Sequence, residues 1–178
     1  MTAQWWDLQT AAGRFTLCPV KPDRDLDHIH RWMNDPVVAE YWELDGPPER
    51  TAAHLAEQRD QPHTQPYLAR LAGRPIGYWE IYRAADDRLA AHYPARPDDV
   101  GVHLLIGEPD CRGVGLGTLL LSVLCDEVQQ AAPCRVVAEP DERNAASVRA
   151  FAAAGFVASG TLDLPEKRAT LMLREARR

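Results

Sequence analysis

The feature that most constrains this 178-residue chain is D-C-R-G-V-G-L-G-T at residues 110–118. It lies between two apolar segments. Residues 99–106 (DVGVHLLI) have the pattern of a short strand in the middle of a sheet. Downstream, Leu119, Leu120, Val123, Leu124 and Val128 keep a helical period over residues 118–130. A strand that enters a helix through alternate glycines leaves backbone N–H groups at the positive end of the helix dipole, which makes an anion site.

The rest of the chain has to supply a sheet around that unit. Residues 14–19 (RFTLCP) alternate as a half-buried strand does. Pro22 and Asp23 open a helix with Leu26, Ile29, Trp32 and Met33 on one face, broken by Asn34-Asp35-Pro36. A short helical piece follows through Val38, Tyr41 and Trp42, and another helix covers residues 48–59. Residues 65–71 and 74–82 form two strands around a turn at Gly73. Residues 84–97, with two prolines, read as an exposed connection. A strand at 135–138, a helix at 144–154 stopped by Gly155, and a hairpin of 157–164 with 168–174 close the chain. The predicted fold class is α/β (α+β): one domain over residues 1–178, with a mixed central sheet of about seven strands and helices on both faces.

Composition narrows the partners. Twenty Lys and Arg against 26 Asp and Glu give a net charge of −6, without the basic footprint of a nucleic-acid binder. No run approaches the roughly 18 apolar residues of a membrane span, and no secretory signal is visible, so a cytoplasmic location is expected. Cys18, Cys111, Cys125 and Cys134 have no metal-ligand spacing, so no metal site is expected and they read as free thiols.

Three readings compete for the glycine loop. A P-loop needs a Lys-Ser or Lys-Thr at its end, which is missing. A dinucleotide fingerprint has the first spacing in Gly113 and Gly115 and an acid, Glu139, downstream. Its third glycine position is Thr118, however, and only one βαβ unit can be found. The third reading is coenzyme A. Residues 112–117 form an R-x-x-G-x-G run that resembles the acyl-CoA loop of the GNAT acyltransferase superfamily. Residues 144–156 (NAASVRAFAAAGF) resemble the second GNAT signature, an Asn-started helix closing on Gly-Phe. The resemblance implies that acyl-CoA is held by Leu105, Ile106, Arg112, Gly113, Val114, Gly115, Leu116, Gly117, Thr118 and Asn144.

Residues 29–42 (IHRWMNDPVVAEYW), 100–106, 137–144 (VAEPDERN) and 164–172 (LPEKRATLM) are similar to hydroxamate-siderophore acyltransferases. Those enzymes acylate the hydroxylamine nitrogen of N-hydroxylysine or N-hydroxycadaverine. The resemblance implies catalytic positions at His103 and Asp141, and acceptor-binding positions at Asn34, Trp42 and Lys167. The residues themselves support His103: a histidine inside an apolar strand needs a partner, and its ordinary pKa of about 6.5 suits a base near neutral pH. Asp141 follows the strand at 135–138, expected parallel to that of His103. It would orient a protonated His103 or hold the acceptor's ammonium, or else simply serve the turn Pro140-Asp141-Glu142. Where many GNAT enzymes carry a tyrosine in the second signature helix, this chain has Phe151, a core aromatic with no acid to offer.

The resemblance implies an acyl-CoA-dependent N-acyltransferase, with acetyl-CoA or succinyl-CoA as donor and a small hydroxylamine or amine as acceptor. Transfer is expected to be direct, in a ternary complex, with backbone N–H groups near Leu105 polarising the thioester carbonyl. A rival is an aminoglycoside 6′-N-acetyltransferase, which shares Trp32, Asn34, the Gly73–Tyr78 hairpin and the Gly-Leu-Gly-Thr loop. Another is a CoA-binding regulatory module without catalysis. The charge distribution reads either as solvated helix faces or as a lobe that attracts a cationic acceptor. Residues 23–60 hold ten acids and four bases, the whole negative excess of the chain, and the resemblance places these helices on the acceptor side. On the second of these readings N-hydroxycadaverine is preferred over zwitterionic N-hydroxylysine.

Overall fold

The alternating segment at 14–19 is β2 (Gly13–Pro19) in a computed structural model that describes residues 5–176. It pairs antiparallel with β1 (Trp6–Thr10), so that Trp6 lies opposite Leu17 and Thr10 opposite Gly13. The sequence reading has no strand at β1. Only Trp6 and Leu8 alternate there, too short a pattern to stand without its partner. Among the described residues β1 brings the strands to eight, where about seven were expected.

Hydrogen bonding orders the strands β1-β2-β3-β4-β5-β6-β8-β7, a mixed sheet flanked by five helices. The remaining elements are α1 (Pro22–Met33), α2 (Pro36–Trp42), α3 (Pro48–Asp60), β3 (Thr64–Leu71), β4 (Arg74–Arg83), β5 (Val100–Ile106), α4 (Leu116–Ala131), β6 (Val136–Ala138), α5 (Ala145–Ala153), β7 (Val157–Asp163) and β8 (Arg168–Arg174). By packing, the described residues fall into two units. The first holds those up to Ile81 together with His103–Leu116; the second holds Tyr82–Val102 and those from Gly117 onward.

In the first unit, proline begins each helix, where the missing N–H costs nothing. The Asp35 carboxylate caps α2 by accepting from the Val37 N–H at 2.9 Å. The expected stripe of α1 is confirmed: Ile29, Trp32 and Met33 are buried with Leu55 of α3, Tyr78 of β4 and Leu105 of β5. Each such side chain contributes on the order of 1.5–3 kcal/mol by leaving water. Gly77 lets the strands approach here, since a Cβ on it would lie 2.2 Å from the Leu105 carbonyl oxygen.

In the second unit, β5 runs parallel to β6, with Val100 opposite Val136, as the crossover through α4 requires. β8 pairs antiparallel with both β6 and β7. The connection after β4 is not the exposed loop expected from its prolines. Two short 3₁₀ turns bury Ala84, Leu89 and Tyr93 against Val137, Leu162 and Leu171. A buried ion pair fixes that segment: Arg135 Nε donates to Asp99 Oδ1 at 2.9 Å and Tyr93 Oη to Asp99 Oδ2 at 2.7 Å.

Candidate active site

Glu80, inside the apolar run I-G-Y-W-E-I-Y, is 4% exposed and organises the first unit's polar cluster. His103 Nδ1 stands 2.9 Å from its Oε2. Its Oε1 accepts from Tyr78 Oη at 2.8 Å and from His54 Nε2 at 3.0 Å, and the tyrosine oxygen is 3.3 Å from the same nitrogen. Burial pushes the Glu80 carboxyl up, but the hydrogen bonds of His103 and His54 outweigh it and hold the group well below the usual range. Burial and then the Glu80 charge push the Tyr78 phenol up, so it stays a donor. An ionised carboxylate can only accept, so Nδ1 of His103 and Nε2 of His54 carry the protons.

The His103 side chain keeps a third of its surface in solvent while its carboxylate partner is enclosed. A buried acid of this kind orients a histidine through one ring nitrogen and stabilises its charged form. Trp42 packs edge-on against Tyr78 at 5.7 Å, and this joins one expected acceptor residue to the cluster. Of the residues expected at the site, His103 and Trp42 meet in this cluster; Glu80, Tyr78 and His54 were not expected there. The available signal was an acid inside an apolar strand, where an unpaired charge is too costly to bury.

The glycine loop has an open backbone. Gly113 and Gly115 take φ of +72° and +80°, the left-handed region, and a Cβ on either would meet nothing within 4 Å. Val114 between them is 70% exposed, whereas Leu116, the first residue of α4, is buried. Gly117 and Thr118 follow in the first turn, half-buried. The loop is tied down on its N-terminal side. Arg74 Nη1 holds Asp110 Oδ2 at 2.7 Å, and Trp32 Nε1 donates to Glu108 Oε1 at 3.0 Å.

Arg112, expected at the acyl-CoA site, has protein partners of its own. Its Nε donates to the Ile106 carbonyl at 2.8 Å, and its Nη2 to the Gly107 carbonyl and, at 3.0 Å, to Asp35 Oδ2. The guanidinium braces the loop. Leu105 belongs to the core, and Ile106 contributes its carbonyl to that brace.

Other expected site residues also have structural partners. Asn34 caps α1: Nδ2 donates to the His30 carbonyl at 3.0 Å, and Oδ1 accepts from the Gly46 N–H at 2.9 Å. In the second unit, Asn144 caps α5 by accepting from the Ser147 N–H at 2.9 Å. The buried Asp141 accepts from the Arg143 N–H at 2.8 Å and from its guanidinium, which holds the carboxyl below its ordinary value. Lys167 is largely covered, with Nζ 3.5 Å from Glu139 Oε1. Phe151 packs edge-on against Phe156 at 5.1 Å, the core role expected of it. Burial pushes the Cys111 and Cys134 thiols up, and Cys125 up to about 12, which disfavours a thiolate nucleophile at each.

The acetyltransferase (GNAT) domain family matches residues 21–164 of this sequence. The chain belongs to the GNAT family. A lysine N-acyltransferase, MbtK, of Mycobacterium sp. (strain MCS) is 36% identical over 92% of this chain and 68% of its own length. The N(6)-hydroxylysine O-acetyltransferase of Escherichia coli is 34% identical over 85% of this chain, which spans about half (49%) of that relative. The N-hydroxyputrescine acetyltransferase of Acinetobacter baumannii is 33% identical over 83% and 71%. Among solved structures, an uncharacterized Bacillus halodurans protein superposes with a TM-score of 0.90 at 31% identity, over 98% of this chain and 92% of that one. An aminoglycoside acetyltransferase AAC(6′)-Ib in complex with coenzyme A and kanamycin gives 0.77 at 25% identity, over 90% and 94%.

This GNAT chain is accordingly an acyl-CoA-dependent N-acyltransferase. Its glycine loop fits that co-substrate: with no Cβ at Gly113 or Gly115, the backbone is open to a pyrophosphate, and the first turn of α4 follows directly.

Proposed function

We propose that this enzyme acylates the hydroxylamine nitrogen of an N-hydroxylated diamine or lysine, N-hydroxycadaverine in the first place, to form a hydroxamate in siderophore biosynthesis. The observation that carries the reading is the 2.9 Å contact between His103 Nδ1 and the buried Glu80. It gives the family's acyl transfer a base of fixed orientation, and relatives named for hydroxylysine and hydroxyputrescine support the acceptor class. Acyl-CoA supplies an acyl group activated as a thioester. The chain's own residues do the rest. The acceptor nitrogen bonds to the thioester carbonyl carbon while His103 Nε2 takes its proton, and Glu80 stabilises the resulting imidazolium through Nδ1; the C–S bond then breaks and the departing CoA thiolate takes a proton from His103 or from water. A hydroxylamine is less basic than an alkyl amine and reaches its neutral, nucleophilic form more easily, so one histidine suffices as base. Direct transfer agrees with thiols that burial keeps protonated.

The acid excess of residues 23–60 supports a cationic acceptor. Two of those acids are already paired: Asp25 with Arg24, and Asp35 with Arg112. The remaining acids keep the segment negative. The likeness to AAC(6′)-Ib favours an aminoglycoside as the second reading.

The deciding experiment measures free CoA released from acetyl-CoA and succinyl-CoA against N-hydroxycadaverine, N-hydroxylysine, cadaverine and kanamycin. Turnover is expected with the hydroxylamines and highest with N-hydroxycadaverine. Turnover of kanamycin alone overturns the siderophore reading.

A further inference from the structure

Glu80 bonds more than the catalytic histidine. One oxygen serves His103, and the other is shared by Tyr78 Oη at 2.8 Å and His54 Nε2 at 3.0 Å. His54 belongs to α3, whereas the other three residues stand on β4 and β5. Its side chain is 14% exposed and lies edge-on to the Tyr78 ring at 6.0 Å, so the contact is packed in place.

Each hydrogen bond that a carboxylate accepts draws off part of its charge. Two donors on Oε1 therefore weaken the pull of Oε2 on the His103 Nδ1–H. An imidazolium at His103 is stabilised in proportion to that pull. Without the outer donors the base would hold its proton more firmly and would be less available to remove one. The outer donors also settle the rotamer of Glu80, on which the orientation of His103 depends.

We propose that His54 is a positioning residue of the acyl transfer: through the shared Glu80 carboxylate it fixes the tautomer of His103 and moderates its basicity, with Tyr78 as the second donor. This rests on His103 being the base. The groups that face Glu80 are His54 from α3, Tyr78 from β4 and His103 from β5. Among the elements packed on α3, α1 brings His30, whose ring sits 3.4 Å from Thr51 Oγ1, and β3 brings the buried Tyr67.

The test has two arms. In the unsubstituted protein, ¹⁵N NMR of the imidazoles reads the tautomers without any turnover. The expected result is Nδ1–H at neutral His103 and Nε2–H at neutral His54; the opposite tautomer at either ring overturns the proposal. In the second arm, kcat/KM is followed against pH for His54→Leu and His54→Gln. His54→Leu is expected to move the acidic limb upward by roughly half a unit or more, because Glu80 then serves His103 more fully. His54→Gln, which keeps an N–H donor, is expected to move it less. An equal loss at every pH, or an unmoved limb in a folded His54→Leu, shows a merely structural role and overturns the proposal. Should His103→Ala retain full turnover, the assignment of the base fails, while the NMR arm still reports separately on the network.

Discussion

Arg112 Nη2 lies 3.0 Å from Asp35 Oδ2, which joins the glycine loop to the turn that caps α2. The arginine that opens the loop motif is thus a brace between two segments of the first unit. The carboxyl of Asp35 is held below its ordinary value chiefly by this hydrogen bond.

Removing the brace should loosen the loop more than it removes a phosphate ligand. Arg112→Ala is expected to cost about 1–3 kcal/mol of stability, read as a lower midpoint in denaturant unfolding. Arg112→Lys should recover only part of it, because an ammonium cannot serve the carbonyls and the carboxylate with one planar fork. A large loss of CoA affinity without loss of stability would return Arg112 to the phosphates.

The two loop glycines lead to a sharper expectation. Gly113→Ala and Gly115→Ala meet no steric obstacle, but their positive φ makes each cost about 1–2 kcal/mol or shift the loop. Titration calorimetry with CoA should show weaker binding for both. An unchanged dissociation constant for both would remove the loop from the binding site.

His103→Ala should keep CoA affinity and lose about 10²–10⁴-fold in kcat. Glu80→Gln should lower kcat with little change in the KM for acyl-CoA, since the amide can no longer stabilise the imidazolium. Asp141→Asn tests the other catalytic position implied by the resemblance. A fall in kcat with an unchanged melting temperature supports that role. A fall in stability alone leaves Asp141 as the anchor of its turn with Arg143.

Acid should unfold the protein through its paired carboxylates. For Glu80, Asp25 and Asp99, burial pushes the carboxyl up and is outweighed by the partners: His103 and His54, Arg24, and Arg135 respectively. Their folded pKa values lie below the unfolded ones, so the unfolded chain binds more protons in acid. The stability they contribute is complete above about pH 5 and is lost as pH falls below about 4. A melting temperature flat from about pH 5 to 7 and dropping steeply below about 4 is the expected profile. A flat profile down to about pH 3 contradicts it.

Alkylation probes the thiols. With Cys18, Cys125 and Cys134 buried, iodoacetamide near neutral pH should modify Cys111 first and slowly, read by peptide mass analysis. Turnover should outlast alkylation of the other three. Rapid inactivation that tracks Cys125 or Cys134 would revive a covalent intermediate.

Much of the fold was legible before any coordinates. The periodicity of Ile29, Trp32 and Met33, the prolines that open three helices, and the glycines that end the turns are local signals, set by side-chain spacing and backbone sterics within a few residues. β1 was not legible, because a five-residue strand with two apolar positions gains its order from pairing with β2. The burial of Leu89 and Tyr93 was not legible either. It depends on Asp99 and Arg135 meeting from 36 positions apart.

The candidate site divides along the same line. Sequence by itself determined the strand–loop–helix unit, the histidine in an apolar strand and the family, since each is a pattern of adjacent residues. Only the tertiary structure decided that Glu80 holds His103, that His54 arrives from α3 to share the carboxylate, and that Arg112 turns to Asp35. A buried charge must find its partners wherever the fold brings them within hydrogen-bonding distance, and that distance is written in no local stretch of sequence.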